Sequence, residues 1–180
     1  MPSATAQRLI AEYGSEPSYK FSAAVTVKVA TTAATFAITR FQPWENSNAK
    51  DLLKHHPVAV WDELSVHLAP RAGIYGRMCT FYGGWAAQDT ETPTTVDQMV
   101  ALHGAIDVTY GGTGDPGTVQ RTIQCEFDTT MKDLLKAPDN AGARPVFFYC
   151  FLETDVTDSK VDADRFMLTF KGKYQLHGRY

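Results

Sequence analysis

The chain has 180 residues, 44% of them hydrophobic and 21% charged, a balance that fits one globular domain burying its own core and excludes an intrinsically disordered protein. Its formal net charge of −3 excludes a global positive field that holds phosphates by counterion release, so any nucleic-acid contact has to be local or conditional. No apolar run reaches the roughly 18 residues of a membrane helix. Residues 1–13 lack the charged start, apolar centre and small-residue cleavage site of a signal peptide, so the sequence reads as an intracellular protein, mature as it stands.

In chain order, Phe21, Ala23, Val25, Val27 and Val29 alternate with Ser22, Ala24, Thr26 and Lys28, the period-two pattern of a strand with one buried face. Residues 36–41 form a second, shorter strand. Ser47 or Asn48 caps a short helix through Lys54 that Pro57 stops, leaving Lys54, His55 and His56 at its negative end. Leu64, Val66 and Leu68 alternate with Glu63, Ser65 and His67 in a third strand, which starts as early as Val60 and closes at Pro70. A fourth strand over 75–82 is expected to end at Gly83-Gly84. Thr92-Pro93 opens a second short helix that ends near His103-Gly104.

A fifth strand over 105–110 leads into the turn-rich stretch 111–117, a hairpin-like loop with neither a Walker lysine nor a strand-loop-helix setting for phosphate binding. Val119, Arg121, Ile123, Cys125 and Phe127 line one face of a sixth strand, and a third helix is expected over 130–136. Residues 146–152 are apolar on both faces, which predicts a central strand covered on two sides. In the last strand, 165–177, Phe166, Leu168, Phe170, Tyr174 and Leu176 face one way and Thr169, Lys171, Lys173, Gln175 and His177 the other.

Eight strands with helices only in the connections predict an all-β fold, an eight-stranded antiparallel jelly-roll sandwich with short connecting helices. A sandwich of other topology stays open, because periodicity does not give strand order. Residues 1–20 read as an N-terminal arm and 21–180 as the jelly-roll domain. Cys79, Cys125 and Cys150 are odd in number, far apart and without zinc spacing, so each is expected as a buried thiol in a strand.

No nucleophile, base and stabiliser converge in the sequence, so catalysis is not expected. Ser65 and His67 share a strand face, but no GxSxG elbow surrounds the serine. His55, His56, His67, His103 and His177 lack HxH or HExxH spacing, so no metal and no cofactor are expected. Lys171, Lys173, His177 and Arg179 form a locally basic end with no acidic residue after Asp164. That end is either a solvated strand face or a patch that touches phosphates.

Three stretches carry a resemblance: KHHPVAVWDELSVHLAP over 54–70, TPTTVDQMVALHGA over 92–105, and FMLTFKGKYQLHG over 166–178. In order and spacing they resemble the coat protein of tymoviruses and their relatives. His56 and His67 match the family's histidine at a helix end and its second histidine before a proline, and His177 matches the late histidine of the last strand. The resemblance implies a homo-oligomeric icosahedral shell of T=3 type that packages single-stranded RNA, found in the virion, assembled inside the host cell and making no membrane contact. It further implies that His56 and His177 face the interior and meet RNA, with Lys171 and Lys173 as additional candidates. Coat proteins of this kind lack a long basic arm, in agreement with Arg8 as the single basic residue before Lys20. The competing expectation is a β-sandwich carbohydrate- or ligand-binding module, with Trp44, Trp61 or Trp85 stacking on a sugar.

Overall fold

Alternating apolar residues predict strands that bury one face, and such strands must pair two sheets face to face. A computed structural model describes residues 18–28, 38–43, 45, 51, 58–70, 78–87, 89–110, 121–124, 145–154 and 164–177. Among these, eight strands occur: β1 Ser18–Lys28, β2 Thr39–Phe41, β3 Val58–Pro70, β4 Met78–Ala87, β5 His103–Tyr110, β6 Arg121–Gln124, β7 Pro145–Thr154 and β8 Asp164–His177. One helix, α1 Val96–Val100, precedes β5.

The strands form two four-stranded sheets, in the orders β1-β8-β3-β6 and β2-β7-β4-β5. The pairs β1 with β8, β2 with β7, β3 with β6 and β4 with β5 are all antiparallel. Such nested pairing is that of one long hairpin rolled over on itself, so the sandwich is a jelly roll rather than another topology. Every connection except the one between β4 and β5 crosses from one sheet to the other.

The space between the sheets is filled from both sides at period two. Val27 of β1, Leu64, Val66 and Leu68 of β3, and Phe166, Leu168 and Phe170 of β8 meet Phe81 and Trp85 of β4 and Phe147 and Tyr149 of β7. Phe41 stacks on Phe170 across the sandwich with centroids 4.1 Å apart. Trp85 meets Phe147 edge-on at 5.0 Å, and Phe147 meets Phe170 at 5.4 Å. Burying one such side chain stabilises the fold by about 1.5–3 kcal/mol, and aromatic geometry adds about 0.5–1.5 kcal/mol per pair.

β7 is central in its sheet and covered on two sides, as its unbroken apolar run predicts. Phe147 and Tyr149 point into the sandwich, whereas Val146, Phe148 and Cys150 pack outside it with Ala86, Met99 of α1, Ile38, Tyr82 and Leu102. The cover stops short of Leu152, which is exposed.

Three expectations are corrected. β4 does not end at Gly83-Gly84 but runs through both to Ala87. A Cβ on Gly83 meets Phe147 Cζ at 2.6 Å and one on Gly84 meets Leu102 Cβ at 2.6 Å, so the glycines serve close packing inside a strand, not a turn. The helix does not begin at Pro93, which is buried ahead of it. Thr95 is the N-cap, its Oγ1 accepting from Gln98 N at 3.3 Å, while Gln98 Oε1 accepts from Thr94 N at 2.7 Å. This reciprocal cap satisfies two backbone donors. His103-Gly104 does not end the helix but opens β5, where Gly104 takes a left-handed φ of 59° at the register shift opposite Gly83 and Trp85. β1 begins at Ser18, inside the span expected as an arm. The helices expected over 49–54 and 130–136, the loop 111–117 and Cys125 lie outside the described residues, apart from Asp51, which is helical.

Cys79 and Cys150 are buried thiols, as expected. Burial pushes the Cys150 thiol up to about 12 from 9.0. Burial likewise raises Tyr149, against a smaller lowering by the hydrogen bond with Thr39. A raised pKa means that the unfolded thiol ionises first, so its contribution to stability is complete below about pH 9 and is lost as pH rises through about 12. Native protein treated with iodoacetamide near pH 8 is therefore expected to keep Cys150 unmodified by mass spectrometry, because the thiolate is the reacting species. Rapid native-state alkylation there contradicts the buried placement.

Candidate nucleic-acid interface

The outer face of the β2-β7-β4-β5 sheet carries an apolar patch in which Ala86, Val146, Phe148 and Cys150 pack with Met99 of α1 and Leu102, and beside it stand Arg40 over the Phe148 ring, the hydrogen-bonded Thr80 and Thr109, and the exposed Asp107. The outer face of β1-β8-β3-β6 presents residues between those that enter the core: Ser22, Ala24 and Thr26 of β1, Met167, Thr169, Lys171 and Lys173 of β8, and Ser65, His67 and Ala69 of β3.

The register sets strand positions in rows across the sheet. One row runs Ser22, Lys171, Ser65, Gln124; the next runs Ala24, Thr169, His67, Thr122. On one side lies the row Thr26, Met167, Ala69, and on the other Lys20, Lys173, Glu63. β8 is 14 residues long and sits between β1 and β3, which holds its backbone by hydrogen bonds on both edges. Lys171 is exposed and Lys173 half-buried. Gly172 between them is buried, so the two lysines share the outer face while the backbone between them lies against the core.

His177 closes β8, paired with Val58 at the start of β3. It occupies the same alternation as Lys171 and Lys173. His56, His55 and Arg179 lie outside the described residues. His103 is exposed but belongs to β5, in the other sheet, and so does not join this group.

The structure adds one residue to the basic end that charge counting along β8 misses. His67, half-buried, stands between Thr169 and Thr122, one row from Lys171. Finding it needs the pairing of β3 with β8, strands separated by about a hundred residues of sequence.

A catalytic role for Ser65 and His67 gains nothing from the geometry. Ser65 Oγ donates to the backbone oxygen of Lys171 at 3.4 Å, across the strands instead of along its own strand toward His67. Among the described residues no group of three histidine, cysteine or carboxylate side chains is placed to hold a metal ion, and no helix is long and apolar enough to cross a membrane. Trp85 is fully buried between the sheets, its indole nitrogen without an acceptor among the described residues. That placement removes it from any sugar-stacking platform, since the ring has no open face. The side chains of Trp44 and Trp61 lie outside the described residues.

No family model matches the sequence, and no curated protein matches it. Solved structures do match. The structure of Desmodium yellow mottle tymovirus superposes with a TM-score of 0.65 at 14% identity, covering 92% of this chain and 83% of that one. Turnip yellow mosaic virus gives 0.63 at 16% identity over 92% and 96% of the two chains. A semi-empty virus-like particle of Macrobrachium rosenbergii nodavirus gives 0.61 at 10% identity over 92% and 95%. At such identities the likeness is one of fold, and it extends over nearly the whole of both chains. The chain has the jelly-roll fold of these tymovirus and other small-virus structures.

Proposed function

We propose that the chain is a viral coat protein, that copies of it close into an icosahedral shell of T=3 type, and that the shell packages single-stranded RNA. The observation that carries this reading is the jelly roll, which superposes on tymovirus structures over 92% of the chain. The protein works by assembly and not by catalysis. Its place is the virion, built inside the host cell without a membrane, and residues 1–13, with Arg8 as their single basic residue, are dispensable for packaging. Expression of the full chain, sedimentation and nuclease treatment test the proposal. A coat protein gives fast-sedimenting material containing nuclease-resistant RNA, and slowly sedimenting protein free of RNA contradicts it.

His56, His177, Lys171 and Lys173 are the proposed RNA contacts. The subunit carries a net charge of −3, so neutral histidines leave phosphates weakly held, and protonation adds up to one positive charge per imidazole. Bound RNA raises the histidine pKa because it favours the charged form. The stabilisation is then complete below the free-state pKa and fades as pH rises through the bound-state pKa. Replacing His56 and His177 together with glutamine is expected to weaken RNA retention near about pH 5 to 6 and to change little at about pH 8, measured as RNA content of sedimented particles. Equal retention by variant and parent at the acidic end removes both residues from the contact set.

A further inference from the structure

We propose that the side of the β2-β7-β4-β5 sheet formed by α1, the segment before it and β5 is a docking surface for a second copy of this chain, which meets it head to tail with a surface bearing lysine or arginine. The inference rests on the coat-protein reading and deepens it, because it assigns one subunit contact to a face and to a kind of symmetry.

The surface has an apolar part that the described residues leave uncovered. α1 turns Met99 into the sheet and leaves Val100 50% exposed, and Leu152, on the same outer face where the cover by α1 ends, is 38% exposed. These two are the large hydrophobic side chains that stand exposed among the described residues. Next to Val100 in the chain, Ala101 and Leu102 join Pro93 in lining an open cavity of about 330 Å³, with Glu91 and Gln98 also in its wall. Gln98 Oε1 accepts from Thr94 N and faces Thr94 Oγ1, which leaves the Glu91 carboxylate as the charged group of the cavity. Apolar lining beside one carboxylate suits a lysine or arginine side chain, whose methylene stem lies along apolar surface while its head keeps a polar partner.

Charge points to the occupant. Between Arg77 and Arg121 stand Asp89, Glu91, Asp97, Asp107 and Asp115, and no lysine or arginine. Asp89, Glu91, Asp97 and Asp107 are all exposed, and the stretch's one histidine, His103, is exposed on β5. The rest of the chain holds all 17 lysines and arginines and, with these five of the 20 carboxylates set apart, more positive than negative charge, so a second copy offers the complement. Arg40 does not neutralise this side: it lies over Phe148 on β2, at the opposite edge of the sheet from β5. A two-fold contact through the face sets Glu91, Asp97 and Asp107 of one copy against the same carboxylates of the other, and like charges brought together oppose binding. The contact is therefore between two different surfaces, and such contacts build rings when their rotation closes.

The test uses the full chain, freed of RNA by nuclease, and reads by sedimentation velocity the lowest concentration at which oligomers form. It is run at about 0.1 M and about 1 M salt, between which the screening length falls from about 10 Å to about 3 Å. Glu91→Lys and Asp107→Lys are each expected to raise that concentration about tenfold at the lower salt and to lose most of the effect at the higher. Val100→Ser is expected to raise it at both, because apolar burial is not screened. All three side chains are exposed, so the melting temperature of the dilute chain is expected to stay as it is. Ser22→Lys combined with Thr26→Lys makes the same change of net charge as Glu91→Lys on the outer face of the other sheet and is expected to have no such effect. Carbodiimide coupling of mixed isotope-labelled and unlabelled copies is expected to join carboxylates of this face to lysines of another copy. Unchanged oligomerisation in Glu91→Lys, Asp107→Lys and Val100→Ser, or an equal loss in the Ser22 and Thr26 control, overturns the docking surface. Dihydrazide links that join the face to itself between copies overturn the head-to-tail arrangement. Failure of the coat-protein reading shows separately, as parent oligomers that never close into particles, and the variants still decide the face; a parent that stays monomeric overturns both.

Discussion

Replacing Phe147 by alanine is expected to destabilise the fold by about 3–5 kcal/mol, the range for removing a large aromatic side chain from a packed core. Phe147 is fully buried on β7, the central strand of its sheet. Its ring lies 5.0 Å from Trp85, 5.4 Å from Phe170 and 6.2 Å from Tyr149, so it touches both sheets at once. Deleting it leaves a void that neither sheet can close alone, because the hydrogen-bonded backbone on each side is fixed by its neighbours. Urea unfolding of parent and variant gives the measurement: the midpoint falls while the slope with denaturant stays constant. A loss below about 1 kcal/mol contradicts this packing, since it requires the sheets to collapse onto the gap.

Gly84→Ala is expected to cost about 1–3 kcal/mol by overpacking. The new methyl group meets Leu102 Cβ at 2.6 Å, and Cβ cannot rotate away because it is fixed to the backbone. Relief requires lifting the segment between α1 and β5 off the sheet, which also uncovers Met99 and Phe148. The mechanism makes a sharper demand. Leu102→Ala retains the offending Cβ and gives no rescue of Gly84→Ala, whereas Leu102→Gly removes it, so a double-mutant cycle shows strong coupling only for the second pair. Equal coupling in both cycles contradicts the close approach.

The strands of this fold are legible in the sequence wherever one face meets the core and the other does not. β3 and β8 show it best: Leu64, Val66 and Leu68, then Phe166, Leu168 and Phe170, are buried as their alternation requires. The double burial of β7 is legible too, because apolar residues at odd and even positions need cover on both sides. Partners are not legible. β8 lies between β1 and β3, and that order depends on which strands complement one another in three dimensions, which a period of two does not encode.

Gly83 and Gly84 are misread for a related reason. Glycine pairs signal turns when only the chain is considered, and the neighbours that demand a missing side chain here, Phe147 and Leu102, stand far along the sequence or on another element. Trp85, just past the expected end of this strand and offered as a sugar-stacking ring, follows from the same error: once β4 continues through the glycines, the ring turns into the core. Of the candidate interface, Lys171 and Lys173 are legible from the alternation of β8 alone. His67 joins them only through the pairing of β3 with β8.

The shell itself is tested most directly by electron microscopy of the purified full chain, concentrated across a range of pH and salt. Closed isometric particles several times wider than one subunit are the predicted result. A protein that stays monomeric at high concentration under every condition contradicts the account.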